Sequence, residues 1–296
     1  MTDPARDFDS LFTLLTTGFP PAASIIESRR NLAALYARFP PDADVSFEDA
    51  VADGVPVCWV RAPDTPDPSV ILFLHGGGWT AGSTRDHGDL LGRLSRASKM
   101  AVLGVDYRLA PEHPFPAAVD DVLTAYRWLI GRVPAKSVVI AGCSSGGGMA
   151  LSALLASKQR GLPQPAGAIA MSPLVDLLFE GASFTTNVGR DWVRPERLRA
   201  TVATWLAGTD PSEPLASPIH GDLQGLAPVL LQVGGRELLR DDARRFAQRA
   251  RAAGTAVTLQ EWPDMIHVWQ IFASTLTEGR DAIANAADFA REHSGP

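Results

Sequence analysis

The stretch Val138-Val-Ile-Ala-Gly-Cys-Ser-Ser-Gly-Gly-Gly-Met-Ala-Leu-Ser-Ala-Leu-Leu-Ala-Ser-Lys158 changes character in its middle. Val138 to Ala141 is a continuous apolar run, as in a strand buried on both faces, whereas Gly147 to Lys158 has helical periodicity. The turn between them, Gly142-Cys143-Ser144-Ser145-Gly146, fits Gly-x-Ser-x-Gly. In a strand–turn–helix setting this pattern holds a serine on a strained elbow with its hydroxyl exposed. The helix N-terminus adds partial positive charge beneath it. Glycines are needed because the turn is tight and neighbouring backbone passes close, leaving no room for a Cβ. As a bare pattern the five residues are weak, and an inert glycine-rich connection is the bland alternative. The flanking strand and helix favour Ser144 as a nucleophile. Ser145 does not fit the role, because Cys143 stands where its pattern would need glycine.

The same alternation extends outward from this stretch. Short apolar runs read as buried strands at Val70–Leu74, Ala101–Val105, Ser137–Ile140, Ala166–Ala170, Val229–Val233 and Val257–Trp262. Between several of them lie helical segments, at Ala118–Gly131, Gly147–Lys158 and Asp241–Ala253. Alternating βα units with non-alternating apolar strands predict an α/β fold, a mostly parallel central sheet flanked by helices. Asp53-Gly54, between the strand-like runs Val45–Val51 and Val55–Arg61, signals an antiparallel hairpin ahead of it. Two pieces stand outside the pattern. Residues 1 to about 43 read as amphipathic helix, and residues 175–222 form a long connection with helical character around Glu196–Leu206. A structureless loop of that length is improbable in a compact domain. The two pieces are therefore expected to form a small helical cap on a single domain spanning residues 1–296.

Composition narrows the function. Of the 296 residues 46% are hydrophobic and 20% charged, with a net charge of −6. Such a chain buries a full core but offers no concentration of Lys and Arg for a nucleic acid backbone, so no nucleic acid partner is expected. No stretch approaches the roughly 20 apolar residues of a membrane span, and the N-terminus lacks a basic leader and a cleavage site. A cytoplasmic location without stable membrane insertion is the expectation. Cys58 and Cys143 are too few for a disulfide framework and sit within apolar runs.

A second glycine cluster, His75-Gly76-Gly77-Gly78-Trp79, directly follows the strand Val70–Leu74. Acyl transfer places negative charge on a former carbonyl oxygen, and fixed backbone N–H donors stabilise it. Losing one such donor typically costs about 100- to 1000-fold in rate. The expected donors are Gly77, Gly78 and Ser145. Read alone, a triple glycine after a strand also suits a phosphate. No Gly-Lys-Ser/Thr follows, which excludes a Walker-type loop. His75 is read as a structural residue beneath the loop.

These two motifs, with Asp106-Tyr-Arg-Leu-Ala-Pro-Glu-His-Pro-Phe-Pro-Ala117 between them, resemble the hormone-sensitive-lipase-like bacterial esterases of the α/β-hydrolase fold. The resemblance runs from about residue 67 to the C-terminus. It implies a carboxylesterase acting on a small ester through an acyl-enzyme, with no metal or organic cofactor, and allows a homodimer through the last strand. Arg108 and Glu112 would brace loops. One departure is Cys143, where the family usually has Asp; its side chain is expected to point away from the substrate.

In this fold the chain order is serine, acid, histidine. Only His267 and His293 come late enough among the six histidines. His293 lies beside the C-terminus and is expected to face solvent, whereas His267, in Trp262-Pro-Asp-Met-Ile-His-Val-Trp269, looks like the family's histidine loop. For the acid, Glu237 occupies the place of the family's catalytic Asp. Asp241 and Asp242 compete, but both begin a helix, where a carboxylate serves as cap or dipole partner. The expected triad is thus Ser144, Glu237 and His267, with Asp241 as the alternative acid. Trp79, Trp192 and Trp205 are expected to line an apolar acyl pocket for short to medium chains. The same residues suit amide or lactone hydrolysis. A non-catalytic receptor on this scaffold, as in the plant gibberellin receptors, would lose the histidine that this chain keeps.

Overall fold

The computed structural model describes residues 8–17 and 24–295. The expected cap segment 1–43 therefore lies partly outside the described residues, at 1–7 and 18–23.

Among the described residues eight strands form one sheet: β1 (Ser46–Ala52), β2 (Val55–Arg61), β3 (Asp67–Leu74), β4 (Met100–Val105), β5 (Val138–Cys143), β6 (Gly167–Met171), β7 (Val229–Gly234) and β8 (Val257–Trp262). Their spatial order is β1-β2-β4-β3-β5-β6-β7-β8. The first two pairings, β1 with β2 and β2 with β4, are antiparallel, and all the others are parallel. The hairpin turns at Asp53 and Gly54, both at positive φ (48° and 93°), the conformation of the two-residue turn that matches strand twist.

Alternation along the strands divides the core. Ile71 and Phe73 of β3, with Val139 and Ala141 of β5, pack into one cluster, while Leu72, Leu74, Val138 and Ile140 pack into another across the sheet. The first face is covered by α3 (Gly88–Ser98) and α9 (Thr277–His293), and the second by α4 (Ala117–Ile130), α5 (Ser145–Gln159) and α8 (Arg240–Ala252). The helices α3 and α9 have no counterpart in the sequence reading. Their stripes are Leu90, Leu91 and Leu94 among serines and glycines, and Ala282, Ala286, Ala287 and Ala290 around a lone isoleucine. Both stripes are amphipathic, and their small residues let each helix lie close to the sheet.

The N-terminal piece comprises two helices, α1 (Phe8–Thr17) and α2 (Ile25–Tyr36), the second capped by the Ser24 hydroxyl, which accepts from Glu27 N–H. The 175–222 connection carries a short α6 (Ser183–Thr186) and the longer α7 (Pro195–Leu206). Arg29 of α2 grips the body below it. Its guanidinium donates to the carbonyls of Thr80 and Ala110 and to both Glu112 oxygens. Glu112 thus braces, and Arg108 does the same for its own loop by holding Asp121. No described helix is long and apolar enough to cross a membrane.

Helix α5 begins at Ser145, two residues before the position its periodicity suggests, and runs directly beneath β3. A Cβ on Gly146 would stand 2.0 Å from Leu74 O and 2.4 Å from His75 O. Backbone on both sides leaves no flexible atom to yield. Gly146→Ala is therefore expected to destabilise the protein by about 3 kcal/mol, the upper part of the overpacking range. Urea unfolding would read this as a lowered midpoint at unchanged slope; an unaltered midpoint would refute the close packing of α5 on β3.

Candidate active site

The parallel strands β3, β5, β6, β7 and β8 all end on the same side, the side where open α/β sheets present their ligand sites. The segments leaving these ends carry Ser144, Glu237, His267 and the glycine loop. At the end of β5, Ser144 has φ 54° and ψ −120°, a conformation that costs a non-glycine residue of order 1–3 kcal/mol. Its neighbours hold it there: Ser144 N–H donates to Met171 O at 2.8 Å, and Ser144 O accepts from Gly148 and Leu174 N–H at 3.1 Å each.

Three distant segments meet at this serine. Ser144 Oγ lies 2.9 Å from His267 Nε2, and His267 Nδ1 lies 3.1 Å from Glu237 Oε2. Glu237 is completely buried. Its other oxygen accepts from Ser172 Oγ at 2.7 Å and from Gly234 N–H at 2.6 Å, which fixes the carboxylate plane. Burial disfavours a charged His267, but the hydrogen bond and charge of Glu237, with the charge of Asp191, outweigh it, so its pKa is raised.

The glycine loop follows β3. Gly76 N–H donates to His87 Nε2 at 3.2 Å, and His87 Nδ1 in turn reaches Ser83 O at 3.0 Å. Gly77 (φ 121°) and Gly78 (φ 63°) adopt backbone that side chains rarely enter. His75 is buried and stacks on Tyr107 at 4.1 Å, with the Tyr107 hydroxyl donating to His75 O. Burial pushes both His75 and His87 down to about 4, so their rings stay neutral. Gly78 N–H donates to Ser145 Oγ at 3.0 Å, a partner that sequence reading did not assign to it.

A cavity of about 730 Å³ opens over Ser144 and His267. Gly76, Gly77 and Gly78 form part of its floor; Leu15, Leu32 and Tyr36 from the N-terminal helices, and Trp192, Arg197 and Thr201 from the 175–222 connection, supply walls. Trp192 is thus one of the residues lining the cavity. Trp79 and Trp205 are not, contrary to expectation. They stack on each other at 3.8 Å, are 1% exposed, and stay outside the cavity lining. Two flat apolar rings bury more area against each other than against a solvent-filled pocket, and the pair cements α7 to the glycine loop. Cys143 is 1% exposed and packs in the apolar core, with Sγ 3.2 Å from where a Cβ on Gly76 would lie. Burial pushes its thiol up to about 12, which removes thiolate reactivity. His293 is half-buried and stacks on Phe289 at 4.1 Å, not free in solvent.

The competing carboxylates are engaged elsewhere. Asp241 accepts from Ser183 N–H at 2.9 Å and Asp242 from Gly181 N–H at 3.0 Å, so both anchor the 175–222 connection to α8. Three residues at the site escaped sequence reading: Ser172, Asp191 and His87. Ser172 had a usable signal, a polar residue at the end of a buried parallel strand. Asp191 had none, since the His267 and Leu238 amides it accepts are far along the chain; His87 had none because its partners, Gly76 N–H and Ser83 O, are backbone groups that no side-chain pattern marks. Among the described residues no group of three or more His, Cys, Asp or Glu is arranged to hold a metal.

Comparison with known proteins shows the family. Residues 71–271 match a family model described as the alpha/beta hydrolase fold. An acetyl-hydrolase of Streptomyces hygroscopicus is 48% identical over 239 residues, 80% of each chain. An esterase of Acinetobacter venetianus is 36% identical over 224 residues, covering 75% of this chain and 74% of its own. A crystal structure of an esterase from the bacterial hormone-sensitive lipase family superposes with a TM-score of 0.95 at 42% identity, covering 100% of both chains. With the family model spanning more than half its length and relatives this similar along most of it, the chain belongs to the hormone-sensitive-lipase-like esterases of the α/β-hydrolase fold.

Proposed function

We propose that the protein is a serine carboxylesterase that cleaves short- to medium-chain esters through an acyl-enzyme on Ser144. The observation that carries this reading is the unbroken hydrogen-bonded series Ser144 Oγ, His267 Nε2, His267 Nδ1, Glu237 Oε2 at the floor of a cavity. A serine hydroxyl is a weak nucleophile unless a base takes its proton as it attacks. His267 accepts that proton, and Glu237 holds the ring tautomer and stabilises the imidazolium that forms. The tetrahedral oxyanion turns toward the amides of Gly77, Gly78 and Ser145, with Gly78 shared with or released from the Ser145 hydroxyl. His267 then protonates the departing alcohol, and water repeats the sequence on the acyl-enzyme.

The segments around residues 8–43 and 175–222 act as a cap in this reading. What supports it is that both line the cavity and are tied together over it: Arg197 donates to Ser28 Oγ at 3.0 Å and Arg194 to Thr16 O at 3.2 Å. The cavity volume lies within the usual range for small-molecule sites, roughly 300–1,000 Å³. Its aliphatic and aromatic walls suit an acyl chain of modest length.

Hydrolysis of 4-nitrophenyl esters of graded chain length tests the assignment. Ser144→Ala should lower kcat by at least about 10⁴-fold, leaving only the residue that binding and the amide cradle supply. Native-like turnover in that variant would overturn the nucleophile. The acid is separable from its neighbour: Glu237→Gln should lower kcat far more than Asp241→Asn, and the reverse ranking would transfer the role. A pH series adds an independent readout. The base must be neutral in the free enzyme, so kcat/KM falls as pH drops through the raised pKa of His267, with a midpoint above the usual histidine value of about 6.5. In Glu237→Gln the largest stabilising charge is gone, and the midpoint should move to lower pH.

A further inference from the structure

His267 sits on a loop beyond the end of β8, where no strand ladder holds its backbone. The next residue, Val268, has φ 49°, a left-handed conformation that a β-branched side chain strongly disfavours. Such a residue persists only where its surroundings over-determine it. The contact of Glu237 with Nδ1 restrains the ring, but a ring restrained at one nitrogen still moves with its loop.

Side chains supply the missing restraint. Asp191 Oδ1 accepts His267 N–H at 3.1 Å, and Trp192 Nε1–H donates to His267 O at 2.9 Å. Two consecutive residues of the 175–222 connection thus hold both main-chain polar groups of His267. On the far side, Val268 N–H donates to Ser172 Oγ at 2.9 Å, the same hydroxyl that bonds Glu237. Asp191 reaches further still: Oδ2 accepts Leu238 N–H at 3.3 Å, the residue after Glu237. One carboxylate therefore ties the histidine loop to the acid loop. It is 4% exposed, and burying a carboxylate is costly unless donors compensate it. Burial lifts its carboxyl to about 6, while the adjoining imidazole and the two amides it accepts favour the charged form.

We propose that Asp191 and Trp192 form a main-chain clamp on His267, which makes the connection over the cavity a positioning element of the catalytic centre as well as one of its walls. The inference rests on His267 being the base. Asp191 acts through the histidine without touching substrate: its amide contacts set where Nε2 lies relative to Ser144 Oγ, and its charge favours the imidazolium. The charged groups facing His267 are Glu237 from the loop after β7 and Asp191 from the connection. A consequence is that displacing the connection unseats the imidazole, so an open cavity is an inactive one.

The test uses the full chain with a short 4-nitrophenyl ester and the variants Asp191→Asn, Asp191→Ala and Trp192→Phe, beside Ser144→Ala. The asparagine keeps size and one acceptor while removing the charge. It should lower kcat about tenfold with KM within about threefold, and move the acidic limb of kcat/KM to lower pH. The alanine should lower kcat further. The phenylalanine keeps a ring in the wall but deletes the indole donor, and should lower kcat by about fivefold, the worth of one hydrogen bond. Asp191→Asn with kcat and acidic limb both within twofold of native values would overturn the clamp. So would a fall in kcat that only tracks the folded fraction, with the limb unmoved. If the Asp191 variants fail to fold, Trp192→Phe decides alone, and unchanged kcat there counts against the clamp. Turnover surviving in Ser144→Ala would instead remove the hydrolase reading beneath it, so the two failures are distinguishable.

Discussion

A hydroxyl, an imidazole and a carboxylate must be held in line although they come from loops after three different strands, and the rest of the structure answers to that requirement. Ser144 and His267 are 123 residues apart in the chain, yet Ser144 Oγ and His267 Nε2 are 2.9 Å apart. A shift of one strand in register would carry the serine to the other face of the sheet, because side chains alternate. The register of β5 between β3 and β6, and of β7 between β6 and β8, is therefore as much a part of the site as the side chains.

Backbone strain gathers at the same place. Ser144, Ser172 and Val268 are three non-glycine residues at positive φ, each at the end of or beyond a strand that faces the cavity. Each is pinned by partners: Ser144 N–H by Met171 O, Ser172 N–H by Gln232 O at 2.7 Å, and Val268 N–H by Ser172 Oγ. The pins are shared, so Met171, Ser172, Glu237 and Val268 restrain one another. Strain of this kind, supported from several sides, is what pre-organises a site before substrate arrives.

Electrostatics follow from burial. The imidazole is 5% exposed and is faced by two carboxylates, which stabilise the charged ring more than its desolvation disfavours it. Around the glycine loop the same burial prevails: neither His75 nor His87 bonds a carboxylate among the described residues, and the charges of Asp86 and Asp106 near His87 are too weak to offset desolvation, so both stay neutral. A neutral His87 retains a free lone pair, and that lone pair accepts the Gly76 amide. Two outcomes for the same side chain, set by neighbours, favour the charged form of one ring and keep the other as a fixed neutral acceptor.

Much of this was written in local pattern. The buried strands, the elbow at Gly142–Gly146 and the glycine loop after β3 all depend on residues adjacent in the chain, so hydrophobic period and turn chemistry were enough to single out Ser144, while the resemblance to a known family singled out His267 and Glu237. The helices α3 and α9 went unread although both are amphipathic, α3 through Leu90, Leu91 and Leu94 and α9 through Ile283, Phe289 and its alanines. Trp79 and Trp205, Ser172, His87 and Asp191 depended wholly on the tertiary structure. A tryptophan's composition says that it will be buried, but not whether its partner is a cavity or another indole. A carboxylate in a long connection reveals nothing of which backbone amides, here those of His267 and Leu238, will come to meet it. Sequence determined the chemistry available and the strand ends that would bear it; folding decided the partners, since hydrogen bonds between groups dozens of residues apart exist only once the sheet has brought its loops together.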